Sequence, residues 1–289
     1  AAFLPSFLKS NNIKFGYIST WQSYEWALNG HGGGGPIQNL VKKQVNSKFV
    51  IKPHSQADIF FATSKFTREE LMHVVGVDGN KVVICYLGVE PKFNNIPRSE
   101  PAKISNFIFF GRIVESKGIV DAIKALGMLT AKGFRDWNFR VVGQGNHEWA
   151  RKLANEHGIG DKVVVCGPAD DEQLENELKQ AHLAIMPSHA ESFGLAFAEA
   201  QAAGLPVVAY EAGSVPEVVE NNVTGWLAPI GQVDSLAERI ESAMRDPKGT
   251  YNAGLAGRER VKAMFTWEKT AKTILEGARA ISVNGQLLI

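Results

Sequence analysis

From residue 104 onward the chain alternates short apolar runs with longer amphipathic stretches, and few folds accept that alternation. Runs such as Phe107-Ile108-Phe109-Phe110 and Val207-Val208-Ala209 have strand length, and the segments between them have helix length. Repeated βα units of this kind build a parallel sheet covered by helices. The spacing predicts strands at 106–111, 138–143, 162–166, 182–187, 206–210 and 225–228. Helices are predicted near 117–132, 146–157, 171–180, 194–203, 214–221 and 233–245. The punctuation agrees: Gly204-Leu205-Pro206 stops a helix and starts a strand, Asp234 favours a helix start, and Asp246-Pro247 favours an end.

Upstream, strands fit 13–19, 58–63 and 81–86, and helices fit 36–47 and 66–75. That is about half of a doubly wound domain, with no opening strand and glycine turn. Pro91, Asn94-Asn95, Pro97 and Pro101 mark 91–103 as a linker, and 250–283 is helical in pattern. Gly32 to Gly35 is the only low-complexity tract; it fits a surface loop or a phosphate or acceptor loop. The expected division is a partial lobe at 1–100, a complete lobe at 104–265 and a closing helical segment at 266–289. With 289 residues the chain is long for one doubly wound domain and short for two, and the shortfall is expected at the N-terminus.

Composition removes several classes. At 45% hydrophobic and 21% charged the chain is neither disordered nor collagenous, and two cysteines cannot build a disulfide scaffold. Cys85 and Cys166 lie in β-branched apolar runs and are expected as buried strand thiols, which suits a reducing, cytoplasmic compartment. No metal-ligand spacing and no membrane-spanning run occur, and a secretory leader is not expected in the sequence as given. The net charge of +1 provides no field for nucleic acid. Residues 1–100 carry 11 basic against 7 acidic side chains, compatible with an anionic acceptor or peripheral contact with a membrane surface.

Four stretches carry chemistry. In the first, a buried strand ends in Gly111-Arg112, and Lys117-Gly118 opens the next helix. Ligands of open α/β sheets bind at the carboxyl ends of strands and at helix N-termini, so Arg112 and Lys117 project where a diphosphate would sit. In the second, Glu191 and Glu199 straddle a strand-to-helix junction, and the amides of Phe193, Gly194 and Leu195 would be the free donors of that helix. Glu199 lies among Leu195, Ala196, Phe197, Ala198 and Ala200, where a charge needs a partner. The third, Val142-Gly143-Gln144-Gly145, lacks the third glycine of a dinucleotide fingerprint and follows the lobe's second strand, which excludes a nicotinamide dehydrogenase. Its glycines permit close approach of backbone to a ligand or make a turn. In the fourth, Gly213-Ser214-Val215-Pro216-Glu217, Ser214 is expected to cap a helix.

In this order, GRxxxxKG at 111–118, VGxG at 142–145, PSxxExFGxxxxEAxxxGxPVVA at 187–209 and GxxPEVVxxxxxG at 213–225 resemble the retaining glycosyltransferases of family 4. The likeness is dense over 104–246 and looser over 58–95. It implies a GT-B architecture of two Rossmann-like lobes, with 104–265 as the donor-binding lobe and 1–100 as a partial acceptor-side lobe. It further implies hexose transfer with retention from a nucleoside-diphosphate sugar, such as a UDP- or GDP-hexose, without metal or other cofactor. The acceptor, whether glycan, lipid or small molecule, is not implied. Arg112 and Lys117 match the diphosphate-binding cations, Glu191 the carboxylate beside the transferred sugar, and Glu199 the ribose ligand. Gly143 matches the donor-side glycine loop. Phe193, Gly194 and Leu195 match positions whose amides meet the distal phosphate or sugar. The family's acceptor-side histidine has no clear counterpart: Trp21 stands near its place and His31 is the nearest alternative. Trp267 and Ile274 are the expected anchors of the closing helix on the N-terminal lobe. A nucleotide-sugar-binding regulatory module and a nucleotide-sugar 2-epimerase are the alternatives.

Overall fold

The computed structural model describes residues 16–19 and 56–281; Trp21, His31, the Gly32–Gly35 tract and the helix expected at 36–47 lie outside them. The chain divides into two compact units, one running to Gly88 and resuming at Trp267, the other Val89–Thr266.

The larger unit holds a six-stranded, wholly parallel sheet. Its strands are β4 (Asn106–Phe110), β5 (Asn138–Val142), β6 (Val163–Gly167), β7 (Leu183–Ile185), β8 (Val207–Tyr210) and β9 (Gly225–Ala228), in the spatial order β6-β5-β4-β7-β8-β9. Phe107 is in register with Phe139 on one side and Leu183 on the other, which makes β4 the centre of the sheet. The apolar run of β4 is buried on both faces, as a covered parallel strand requires. Each buried phenylalanine there contributes about 2 kcal/mol. β6 lies at the edge and alternates buried with exposed residues, so Cys166 is exposed while Cys85 is buried. The expectation of two buried thiols therefore holds for Cys85 alone.

The helices between these strands are α3 (Ile119–Ala131), α4 (His147–Glu156), α5 (Asp171–Gln180), α6 (Leu195–Ala202) and α7 (Val215–Val218); α8 (Val233–Arg245) and α9 (Pro247–Met264) follow β9. Asp170 and Gln173 form a reciprocal capping box on α5, and the Asp246 side chain caps α9. The 91–103 segment, expected as a linker, is built into this unit. Pro91–Asn94 forms the short helix α2, and Phe93 and Ile96 are buried. Arg98 then donates from Nε to the Ala203 carbonyl at 2.6 Å, and from its terminal nitrogens to Leu178 at 2.8 Å and Ala181 at 2.8 Å. Arg258 donates to Ala202, Ala203 and Ile96 beside it. Two guanidinium groups thus satisfy the orphan carbonyls at the ends of α5 and α6, with no carboxylate among the described residues hydrogen-bonded to either.

In the smaller unit β1 (Gly16–Ser19), β2 (Ile59–Ala62) and β3 (Val82–Ile84) form a parallel sheet in that order. Helix α1 (Lys65–Glu70), capped by Ser64, runs into a π-helical turn at Leu71–Val75 that Gly76 ends in the left-handed region. Helix α10 (Trp267–Ile281) lies on β2, and Ile274 packs against Ile59, Phe61 and Cys85. Trp267, the other expected anchor, is exposed.

Candidate active site

The site is built from loops at the carboxyl ends of β4, β5, β7 and β8. After β4 and β5 the two chains stay paired past their strands: Gly111 N–H donates to Val142 O at 3.0 Å and Ile113 N–H to Gln144 O at 2.7 Å, with a bridge between Ile113 and Gly145. A Cβ on Gly143 would stand 1.8 Å from the Gly111 carbonyl oxygen, so only glycine permits this approach. The Gly143 N–H is taken by the Gly167 carbonyl at 2.7 Å. Gly143 therefore seats one loop on the other, and Arg112 remains exposed on the β4 loop.

A single 3₁₀ turn, Glu115–Lys117, precedes α3, and Gly118 enters the helix at φ 77°. A Cβ there would lie 1.8 Å from the Pro187 carbonyl oxygen, and its absence lets the loop after β7 settle on the turn. His189 N–H donates to Ser116 O at 3.0 Å across that seat. The same loop presents Glu191, whose backbone carbonyl accepts from both Ser214 N–H at 3.1 Å and Ser214 Oγ at 3.2 Å. Ser214, expected as a helix cap, makes no capping bond to α7; its hydroxyl fixes Glu191 instead.

These contacts bring two sequence-predicted residues together. Lys117 Nζ donates to Glu191 Oε1 at 2.7 Å, with side-chain exposures of 16% and 10%. Each group offsets the cost of the other's withdrawal from water. α6 begins immediately beyond, at Leu195, with Gly194 as its N-cap at φ 86°. The Phe193 ring is buried edge-on against Phe265, with centroids 5.4 Å apart. Leu195 is exposed at the start of the helix. Glu199 sits one turn into α6, half-buried, with Asp171, Lys92 and Glu90 as its charged neighbours. Burial raises its carboxyl above the usual range, and no protein group among the described residues hydrogen-bonds to it.

A second cluster escaped sequence reasoning. His189 Nε2 lies 2.8 Å from Asp121 Oδ2, and Tyr210 Oη donates to the same oxygen at 3.1 Å. Asp121 and Tyr210 are buried, and the His189 ring lies tilted against that of Tyr210, 5.7 Å between centroids. The His189 bond, ahead of the Tyr210 bond, holds the Asp121 carboxyl below its usual range. The bond to Asp121 raises His189. Burial, reinforced by the Asp121 charge, raises the Tyr210 phenol. The available signal was Asp121 itself, an acid in the otherwise apolar opening of α3, the same anomaly that singled out Glu199.

Residues 92–260 match the family described as glycosyl transferases group 1, a span of more than half the chain that includes the whole site. The chain belongs to that family. Amylovoran biosynthesis glycosyltransferase AmsK of Erwinia amylovora is 29% identical to this group 1 chain over 219 residues, 73% of this chain and 53% of AmsK. Sucrose-phosphate synthase from Thermosynechococcus elongatus superposes with a TM-score of 0.79 at 24% identity, over 96% of this chain and 70% of that one. Anabaena HepE, solved in complex with UDP and glucose, gives 0.74 at 19% identity over 94% and 73%. These likenesses identify an α/β GT-B fold with parallel sheets. The group 1 chain spans about half the length of the curated relatives it matches. No helix among the described residues is long and apolar enough to cross a membrane.

Proposed function

We propose that this chain carries the donor site of a retaining, family 4-type hexosyltransferase that takes a nucleoside-diphosphate sugar. The observation that carries the reading is the Lys117–Glu191 pair, held at the carboxyl ends of β4 and β7 just ahead of the α6 N-terminus. A departing diphosphate needs its developing charge met by fixed donors, and here Arg112, Lys117 and the first amides of α6 supply them. Such an array stabilises the leaving group without a metal. Loss of one donor of this kind costs on the order of 3–4 kcal/mol of transition-state stabilisation.

In this reading Lys117 does two things. It neutralises Glu191 in the resting site and turns toward the diphosphate when donor arrives, which leaves the Glu191 carboxylate beside the transferred sugar. Glu199, whose carboxylate has no hydrogen bond among the described residues, accepts hydrogen bonds from the ribose hydroxyls. Retention follows the resemblance of the 111–118 and 187–209 motifs to family 4, with the donor's own phosphate oxygen taking the acceptor proton on the face the diphosphate leaves. The HepE complex with UDP and glucose supports the donor class by fold alone.

Calorimetry with UDP and GDP, followed by a transfer assay that reads the anomer formed, tests the proposal. Binding, turnover and retention are expected, with turnover abolished in Lys117→Ala and in Glu191→Ala. Unchanged turnover in either variant, or binding without any transfer across an acceptor panel, argues against it.

A further inference from the structure

Besides the Lys117–Glu191 ion pair, the Glu191 loop is held to the Ser116–Gly118 turn and the start of α3 at three points. Pro187 packs on Gly118, His189 N–H bonds Ser116 O at 3.0 Å, and His189 Nε2 meets Asp121 Oδ2 at 2.8 Å. The first two are neutral backbone contacts. The third is the only one of them that can gain or lose charge, and it lies two residues from Glu191 and four from Lys117 on the opposing strand of chain. Asp121 is a fixed anchor, because Tyr210 donates to the same oxygen from a fully buried position on β8. His189 is the exposed member, with 39% of its side chain in solvent.

We propose that His189 is a positioning residue of the donor site: protonated and paired with Asp121, it holds the Glu191 loop ready for donor, and deprotonation relaxes that hold. The inference rests on the donor reading above. The charged groups facing His189 are Asp121 of α3 and Glu115 of the turn before it, with the Tyr210 hydroxyl at its flank and Lys124 beside Asp121. Two carboxylates against one distant ammonium favour the imidazolium. A charge-assisted N–H bond is roughly twice as strong as a neutral one, so the hold weakens when the ring loses its proton. His189 is a positioning residue and not a catalytic one, since its ring turns toward Asp121 and Tyr210.

The experiment measures UDP affinity of the full chain by calorimetry from pH 6 to pH 9, for wild type, His189→Gln and Asp121→Asn. The phosphate of UDP titrates over this range too, so the ratio of the variant to the wild-type dissociation constant is the quantity read. For His189→Gln that ratio should be about five or more at pH 6 and approach one at pH 9, a coupling of the size usual between linked sites. Asp121→Asn removes the ionic partner, and the wild-type fall in affinity should move to lower pH. It carries the test should His189→Gln fail to fold. A His189→Gln ratio that does not change with pH, or an Asp121→Asn profile that coincides with wild type, overturns the coupling while leaving the donor site intact. Wild-type protein that binds neither UDP nor GDP at any pH overturns the donor reading and this inference with it.

Discussion

Lys117 Nζ and Glu191 Oε1 lie 2.7 Å apart although 74 residues separate them in the chain. The pair joins the carboxyl ends of the first and fourth strands of the larger unit, β4 and β7, which are neighbours in the sheet. Removing either partner leaves a charge with little water around it, at a cost of about 3 kcal/mol. Removing both costs less than the sum.

Urea unfolding of Lys117→Ala, Glu191→Ala and the double variant should therefore show non-additivity of about 1–3 kcal/mol. All three should lack transfer activity. Additive stabilities would mean the pair is not coupled in solution.

Gly213 stands at φ 56°, and a Cβ there would lie 2.2 Å from the Glu191 carbonyl oxygen. Gly213→Ala should displace the loop, weakening UDP binding at least about tenfold, the effect expected when a positioned group moves by an ångström. Gly133→Ala is the control. Gly133 also has positive φ, 98°, but nothing lies within 4 Å of its Cβ position. It should lose about 1–2 kcal/mol of stability and bind UDP as wild type does. Calorimetry and thermal melts of the two variants separate steric displacement from backbone strain.

The His189–Asp121 pair also makes stability depend on pH, with two opposed limbs. His189 is raised, so its contribution is full below the unfolded value near 6.5 and is lost as pH climbs through the folded one. Asp121 is lowered, so its contribution is full above the unfolded value near 3.8 and is lost as pH drops through the folded one. The stability difference between wild type and Asp121→Asn should thus peak between these limits, near pH 5 to 6, and shrink at both extremes. Denaturant midpoints measured across the range check it; a difference that grows steadily toward pH 9 contradicts the assignment.

Arg98 is the joint between α5, α6 and the segment after α2. Burial, then the neighbouring Arg258 charge, pushes its guanidinium down to about 10. Arg98→Lys keeps a charge but loses the planar fork that reaches several carbonyls, and should cost about 3 kcal/mol. Chemical denaturation reads this directly, and UDP affinity of the folded variant should be unchanged.

What could be read from the chain follows how locally each feature is determined. The strands of the larger unit were legible because their apolar runs are continuous, and Lys117 and Glu191 because strand-end loops converge in a parallel sheet. Cys166 was misplaced because its exposure depends on β6 lying at the sheet edge, which no local pattern encodes. Ser214 was misassigned for a related reason. A serine before Val-Pro-Glu favours a cap, but the carbonyl of Glu191, 23 residues upstream, competes for its hydroxyl and wins. The 91–103 stretch looked like a tether from its prolines, whereas Phe93, Ile96 and Arg98 each find partners in the larger unit. The Asp121–His189–Tyr210 cluster draws one residue from each of three elements, and no spacing rule links them.

The Ile113–Gly145 bridge has a consequence for how chains of this design can change length. Because the β4 and β5 loops continue the ladder beyond the sheet, each residue from Gly111 to Ile113 has a fixed opposite number. One inserted residue would shift the pairing by one and turn alternate side chains to the other face. Arg112 would then exchange orientation with a neighbour and leave the site. Between Gly111 and Ile113 an inserted residue therefore disturbs more than the replacement of one side chain that leaves the pairing in place.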